Sequence, residues 1–211
     1  MAIKGEQTRE RILAAAEPLV LTKGFAGTSL GDILAAAGLA KGAFFHHFKG
    51  KNDLARALVE RYARNDYELF ERFARQAETL SDDPLERTFI FLRLFEDYIR
   101  ELPAPPTGCV FAAYTYESLQ FDPSITAFIA DSFRRWSGLF EAQFEAVLAR
   151  HRPRRAITAG ELAEMIMAII EGGFILSRSY QDALLVARQS KQFRLFLELL
   201  FEPPAARAAG A

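Results

Sequence analysis

From Thr8 to Leu200 the apolar residues recur every three or four positions, and nowhere do they alternate over a strand's length. That period lays one apolar stripe along a helix and cannot give a sheet one buried face. It confines the chain to an all-α fold. Stop and start signals divide it into about nine helices. Thr8 reads as the N-cap of the first, which carries Ile12, Ala16, Leu19 and Val20 and stops at Gly24. Pro18 lies inside it, removing a backbone donor and favouring a bend. Ser29 with Asp32 has capping-box spacing for a short second helix to Ala37, and Gly38 makes the turn. A third short helix takes Lys41 to His47, and a long fourth starts near Lys51. Asp83-Pro84 opens a fifth with proline in its first turn. The segment Leu102 to Gly108 is a loop, and a helix from about Cys109 to Leu119 follows it. Asp122-Pro123 opens a helix reaching Arg150. Thr158 and Glu161 form a capping box for a helix to about Tyr180, and Asp182 caps the last.

Composition narrows the function class. A single Cys excludes an internal disulfide, and with three His it excludes a Cys-rich zinc module. No metal and no cofactor is expected. The N-terminus has no apolar leader core, and no apolar run is long enough to span a bilayer, so a cytoplasmic protein without membrane contact is expected. The formal charge of -1 hides an asymmetry. Residues 1–55 hold seven Lys/Arg against five acids, a net +2. The remaining nineteen Lys/Arg against twenty-two acids make a net -3. Fifteen of nineteen Phe lie beyond residue 60, so a small basic front precedes a large aromatic back.

The front carries the informative constellation. Two short helices joined by a Gly turn form a helix-turn-helix, and because neither can bury a core alone they must lean on the first helix. The second of the pair begins Lys41-Gly42-Ala43. Small residues there permit close approach to base edges, and Lys41 can reach a phosphate or a guanine edge. Lys23-Gly24-Phe25, Thr28-Ser29-Leu30, Ile33, Ala36-Ala37-Gly38-Leu39, Lys41-Gly42 and His46-His47-Phe48 follow one pattern. Through them, residues 8–59 resemble the DNA-binding domain of TetR-family transcriptional regulators.

That resemblance implies a homodimeric regulator, most often a repressor, which binds a palindromic operator in double-stranded DNA and is released by a small ligand. It implies a helix-turn-helix domain over residues 1–50, a ligand-binding and dimerisation domain over 51–203, and leaves 204–211 as a disordered tail. By position, Thr28, Ser29, Lys41, Gly42, Phe45, His46 and Lys51 match the family's usual DNA contacts. Three positions depart from the pattern. Phe45 lacks the hydroxyl of the common Tyr, Ala40 lacks the cap of the common Ser, and Gly31 replaces a polar residue that can reach a phosphate.

The aromatic back offers core and pocket together. Phe91, Phe95, Phe111, Tyr114, Trp136, Phe140 and Phe174, with Cys109, are candidates to line a pocket for a small hydrophobic or aromatic inducer. Cys109 stands open between a small buried residue and a thiol made reactive at a helix start. The last two helices look too apolar to face water. The resemblance pairs them with a second copy through Met165, Ile169, Gly173, Leu176, Phe193, Phe196, Leu197 and Leu200. A second reading is a small-molecule carrier or enzyme that keeps the fold without an operator. Gly27-Thr28-Ser29-Leu30-Gly31 spells the nucleophile elbow of hydrolases, but that motif needs a strand before it and a helix precedes it here. No catalytic residue is therefore assigned.

Overall fold

The structure is a computed structural model. It describes residues 2–102 and 108–201. The tail expected over 204–211 and most of the loop between Leu102 and Gly108 lie outside them. The described residues form nine α-helices and no named strand: α1 Ala2–Lys23, α2 Leu30–Ala37, α3 Lys41–His47, α4 Lys51–Leu80, α5 Pro84–Glu101, α6 Val110–Tyr116, α7 Pro123–Arg150, α8 Ala159–Tyr180 and α9 Leu185–Leu200. A 3₁₀ turn, Ser118–Gln120, extends α6.

Local chemistry explains most of these boundaries. At α2 the Ser29 hydroxyl accepts from the Asp32 amide while Asp32 accepts from the Ser29 amide, and at α8 Thr158 and Glu161 repeat the exchange. Asp83 Oδ1 accepts from the Leu85 and Glu86 amides, and Pro84 stands where no amide donor is needed. Gly38 ends α2 at φ 62°, a left-handed conformation that glycine adopts without steric cost. Two expected starts move. α1 begins at Ala2, so Thr8 is an interior residue and not its cap. Asp182 accepts from the Leu184 amide, but α9 begins at Leu185, so Asp182 ends a turn before the helix. α1 continues through Pro18.

The described residues gather into two compact units. One falls within Met1–Glu68 and Thr107–Phe133, the other within Leu69–Pro106 and Arg134–Ala211. The division does not fall at residue 50, because the first part of α4, α6 and the start of α7 pack with the helix-turn-helix. The reason lies in the length of α2 and α3, eight and seven residues, which isolated would not be stable. Ile12, Leu13, Ala16 and Val20 of α1 meet Ile33, Leu34 and Ala37 of α2, all buried. Arg11 of α1 donates to the carbonyl of Ala37, satisfying an orphan acceptor at the end of α2.

In the second unit α9 packs on α5 and α8. Gly173 permits the close approach: a Cβ there would sit 3.3 Å from Cα of Val186. One charged residue, Glu96, is buried in this core at 2% exposure. Its Oε1 takes a bond from Arg194 Nε at 3.2 Å and its Oε2 lies 3.5 Å from Arg100 Nη2. Removing one member of such a pair leaves a buried charge uncompensated, which costs more than removing both. Because Arg100 still faces Glu96, Arg194→Met is expected to destabilise the chain by about 1–3 kcal/mol, and adding Glu96→Leu to recover most of that loss. Urea denaturation of the two variants checks it, and a single-variant loss no larger than that of the double variant contradicts it.

Candidate nucleic-acid interface

In the first unit α3 is held by its apolar side. Phe44 is 1% exposed and packs at a tilt against buried Phe48, while Arg9 of α1 lies 5.4 Å over the Phe48 ring. This anchoring turns Lys41, Gly42, Phe45 and His46 outward together. Phe45 is 52% exposed, unusual for a phenylalanine in a folded core-forming helix, and Lys41 Nζ lies 6.0 Å from its ring centre. The result is one face with a cation, a backbone position without a side chain, an apolar ring and an imidazole. A Cβ added at Gly42 would meet nothing within 4 Å, so its surroundings are open to an approaching surface. Ala40 leaves α3 without a side-chain cap.

Three of the expected contacts are engaged inside the protein. Thr28 is fully buried and its hydroxyl donates to the Gly24 carbonyl at 2.7 Å. Ser29 is exposed, but its hydroxyl is committed to Asp32. The Ser29 amide and hydroxyl hold the Asp32 carboxyl below the usual carboxylate range, with Lys23 adding to the effect. Lys51 turns inward. Its ammonium donates to the Phe25 carbonyl and lies 4.3 Å over the Phe25 ring. Burial there lowers its pKa, and Glu117 opposes the shift.

The turn after α1 reveals a residue that the sequence does not mark. Glu117, at the end of α6, accepts from the Phe25 amide through Oε1 at 3.1 Å and from the Ala26 amide through Oε2 at 2.8 Å. Gly24 has φ 76°, and a Cβ at that position would overlap Glu117 Oε1. The Phe25 ring packs on Phe121 at 4.8 Å and on Tyr114 at 5.4 Å. Tyr114 and Phe121 stack in parallel at 4.3 Å. Burial, with Glu117 nearby, pushes the Tyr114 phenol far above its ordinary range. Only Gly24-Phe25 was visible locally; its partner lies ninety-two residues away.

The expected pocket set does not stay together. Cys109, Phe111 and Tyr114 are core residues of the first unit, with Phe111 against Tyr62 and Phe133. In the second unit Phe91, Trp136 and Phe140 line a cavity of about 50 Å³ with Phe70, Leu139 and Gln143. A more open hollow of about 340 Å³ shares Ala74, Phe91, Leu139 and Gln143 with it. Phe95 stands behind Phe70, and Phe174 is half-buried in the same core. Of the expected dimer residues, Met165 and Leu176 are exposed and Ile169 and Phe196 half-buried. Phe193, Leu197 and Leu200 instead face inward, because α5 and α8 of the same chain cover that side of α9, and Gly173 of α8 faces Val186 of α9. Among the described residues no cluster of His, Cys, Asp or Glu suits a metal ion, and no helix is long and apolar enough to cross a membrane.

Two family models match the chain. Residues 12–58 match bacterial regulatory proteins of the tetR family, and residues 91–192 match the LmrA/YxaF-like transcriptional regulator C-terminal domain. The HTH-type transcriptional regulator YxaF of Bacillus subtilis is 28% identical over 90% of this chain and 95% of its own length. LmrA of the same organism is 29% identical over 83% and 89%. Among solved structures, a TetR transcriptional regulator from Chloroflexus aurantiacus is 28% identical, covers 94% of this chain and 98% of its own, and superposes with a TM-score of 0.77.

The cap that starts α2 positions the whole reading unit. Its carboxylate has a depressed pKa in the folded chain, so its contribution is complete above the unfolded value near 4 and is lost as pH falls through the lower folded value. Ser29→Ala is expected to cost about 1 kcal/mol at neutral pH and to make the acid-side loss of stability shallower. Urea midpoints measured from pH 7 down to pH 3 test both; a curve parallel to that of the unsubstituted chain at every pH contradicts the assignment.

Proposed function

We propose, from the premise that the chain belongs to the TetR family of bacterial regulatory proteins, that it acts as a homodimeric repressor released from a palindromic operator by a small hydrophobic or aromatic ligand. The observation that carries the DNA half is the outward face of α3, where Lys41, Gly42, Phe45 and His46 stand together on a buried Phe44 anchor. Lys41 supplies the charge for a phosphate or guanine edge. Gly42 lets the backbone approach. Phe45 offers only apolar contact, suited to a thymine methyl or a sugar.

Dimerisation is supported by the outer stripe of α8 and α9. Met165, Leu176 and Leu199 are 36%, 38% and 71% exposed, a costly arrangement for a lone chain in water. An isologous contact between two copies covers them and gives the assembly two copies of α3, one for each half of a palindrome.

The ligand half rests on the second unit's aromatic cavity and the hollow beside it. Phe70 meets Phe91, Trp136 and Phe140 at ring separations of 5.9 to 6.1 Å, and these rings wall a small cavity beside a hollow of about 340 Å³ in which a planar apolar molecule has room. Gln143 at the shared wall supplies an amide for orientation.

Lys41→Ala is expected to abolish selective binding to the palindromic duplex that the unsubstituted protein enriches from a random pool, with an unchanged melting curve. The slope of log affinity against log salt should fall by about one. Undiminished affinity in a mobility-shift titration contradicts the assignment. Trp136, the single tryptophan, stands at the cavity wall and makes a second test. Planar aromatic compounds that release the duplex are expected to quench its emission with the same concentration dependence. Release without any change in Trp136 emission places the ligand elsewhere.

A further inference from the structure

The Glu117 contact is unlike the other side-chain bonds of the first unit. A carboxylate receives two successive backbone amides, Phe25 and Ala26, with one oxygen each. Consecutive amides converging beside a left-handed glycine make a small anion-binding concavity. Here the anion is a side chain of the protein itself. Gly24 is required twice over, by its φ of 76° and by the space its missing Cβ leaves for Glu117. The Lys51 ammonium, donating to the carbonyl of the same Phe25, closes the turn from the opposite side. None of these atoms lies on the outward face of α3.

We propose that Glu117 is a positioning residue for DNA binding: it locks the α1–α2 turn to the end of α6, and so fixes the orientation in which α2 and α3 are presented to the duplex. The inference rests on the DNA-binding reading above. The turn connects α1, which buries the apolar side of α2 and reaches α3, to the Ser29 cap that starts α2. A turn held by two amides and one carbonyl has no freedom to swivel. Once Glu117 lets go, Phe25 keeps its ring contacts but the amides at 25 and 26 are open to water, and the pair of short helices samples several orientations. Only a fraction of molecules then present the binding geometry, and apparent affinity falls by that fraction.

The sign of the effect separates positioning from bulk charge. Removing an acid from a DNA-binding unit strengthens attraction to phosphates, so electrostatics alone predicts tighter binding for Glu117→Gln. Positioning predicts weaker binding. Because Glu117 touches no phosphate, the salt slope stays unchanged, whereas loss of a phosphate contact lowers it.

The experiment uses the full-length chain, its Glu117→Gln and Glu117→Ala variants, and the palindromic duplex enriched from a random pool by the unsubstituted protein. Duplex affinity is measured across a salt series, and amide exchange is followed by mass spectrometry on peptides spanning residues 22–28. Expected are an affinity loss of about 5- to 150-fold with an unchanged salt slope, and faster exchange at Phe25 and Ala26 while peptides within α4 keep their protection. Affinity equal to or above that of the unsubstituted chain overturns the proposal, as does unchanged exchange at Phe25 and Ala26. If the unsubstituted chain shows no salt-dependent duplex binding, the DNA reading itself fails; the exchange data still decide whether Glu117 locks the turn. Gly24→Ala, which displaces the carboxylate without removing it, is expected to reproduce the loss and to add little to it in the double variant; full additivity overturns the shared mechanism.

Discussion

Phe25 is the residue on which the first unit depends. Its ring is 4% exposed among Tyr114, Phe121 and the Lys51 ammonium, and its amide and carbonyl are both taken by side chains from elsewhere in the chain. Burying such a ring contributes about 1.5–3 kcal/mol, and a bond to a charged acceptor about 1.5–3 kcal/mol, each comparable with a large part of a domain's net stability. The apolar term holds the ring in place without direction. The polar terms supply the direction, because two amides and a carboxylate meet in only one geometry. A reading head of eight- and seven-residue helices needs that direction from outside itself, since helices so short do not persist alone.

How much of this was legible follows from the range of each interaction. The capping box of Ser29 and Asp32, that of Thr158 and Glu161, the Asp83-Pro84 start and the Gly38 turn all act within four residues, so residue types and spacing disclose them. On α3 the sequence marks Lys41 and Gly42 at the helix start, while the anchoring of its other side by Phe44 and Phe48 appears only in the fold. Thr8 misled because a good capping residue is also tolerated within a helix, and nothing local shows that α1 has already begun. Lys51 and Glu117 were out of reach for another reason. Both serve a backbone turn far away in sequence, and backbone groups leave no residue type to recognise.

The apolar residues of α8 and α9 show a different limit. Helical spacing identifies a stripe but not its neighbour. Phe193, Leu197 and Leu200 on α9 read as a surface for a second copy, yet α5 and α8 of the same chain cover them. Among the described residues of α8 and α9, the exposed Met165, Ile175, Leu176, Tyr180 and Leu199, with half-buried Ile169 and Phe196, remain for an external partner. The phenylalanine excess divides in the same manner. In the first unit rings pack closely, down to the parallel Tyr114–Phe121 pair. In the second unit Phe70, Phe91, Trp136 and Phe140 meet mostly edge to face and line a cavity. Sequence counts the rings; only the packing of the folded chain separates core from cavity wall.

The serine motif shows why a site must be judged by what its atoms are already doing. Ser29 sits in a Gly-x-Ser-x-Gly run, and His151 pairs with Asp83 at 2.7 Å, so the three residue types of a hydrolytic triad are all present. The Ser29 hydroxyl is nevertheless bound to Asp32 and accepts the Asp32 amide, which ties it to starting a helix. Asp83, meanwhile, holds the Leu85 and Glu86 amides at the start of α5. Burial raises its pKa, but those amides and His151 together hold it below the ordinary carboxylate range. Ser29 belongs to one compact unit and the Asp83–His151 pair to the other. Each group is thus explained by a helix end it stabilises. On the outward face of α3, Lys41 lies over the Phe45 ring and His46 beside His47, and contact with another molecule offsets the cost of exposing that phenylalanine.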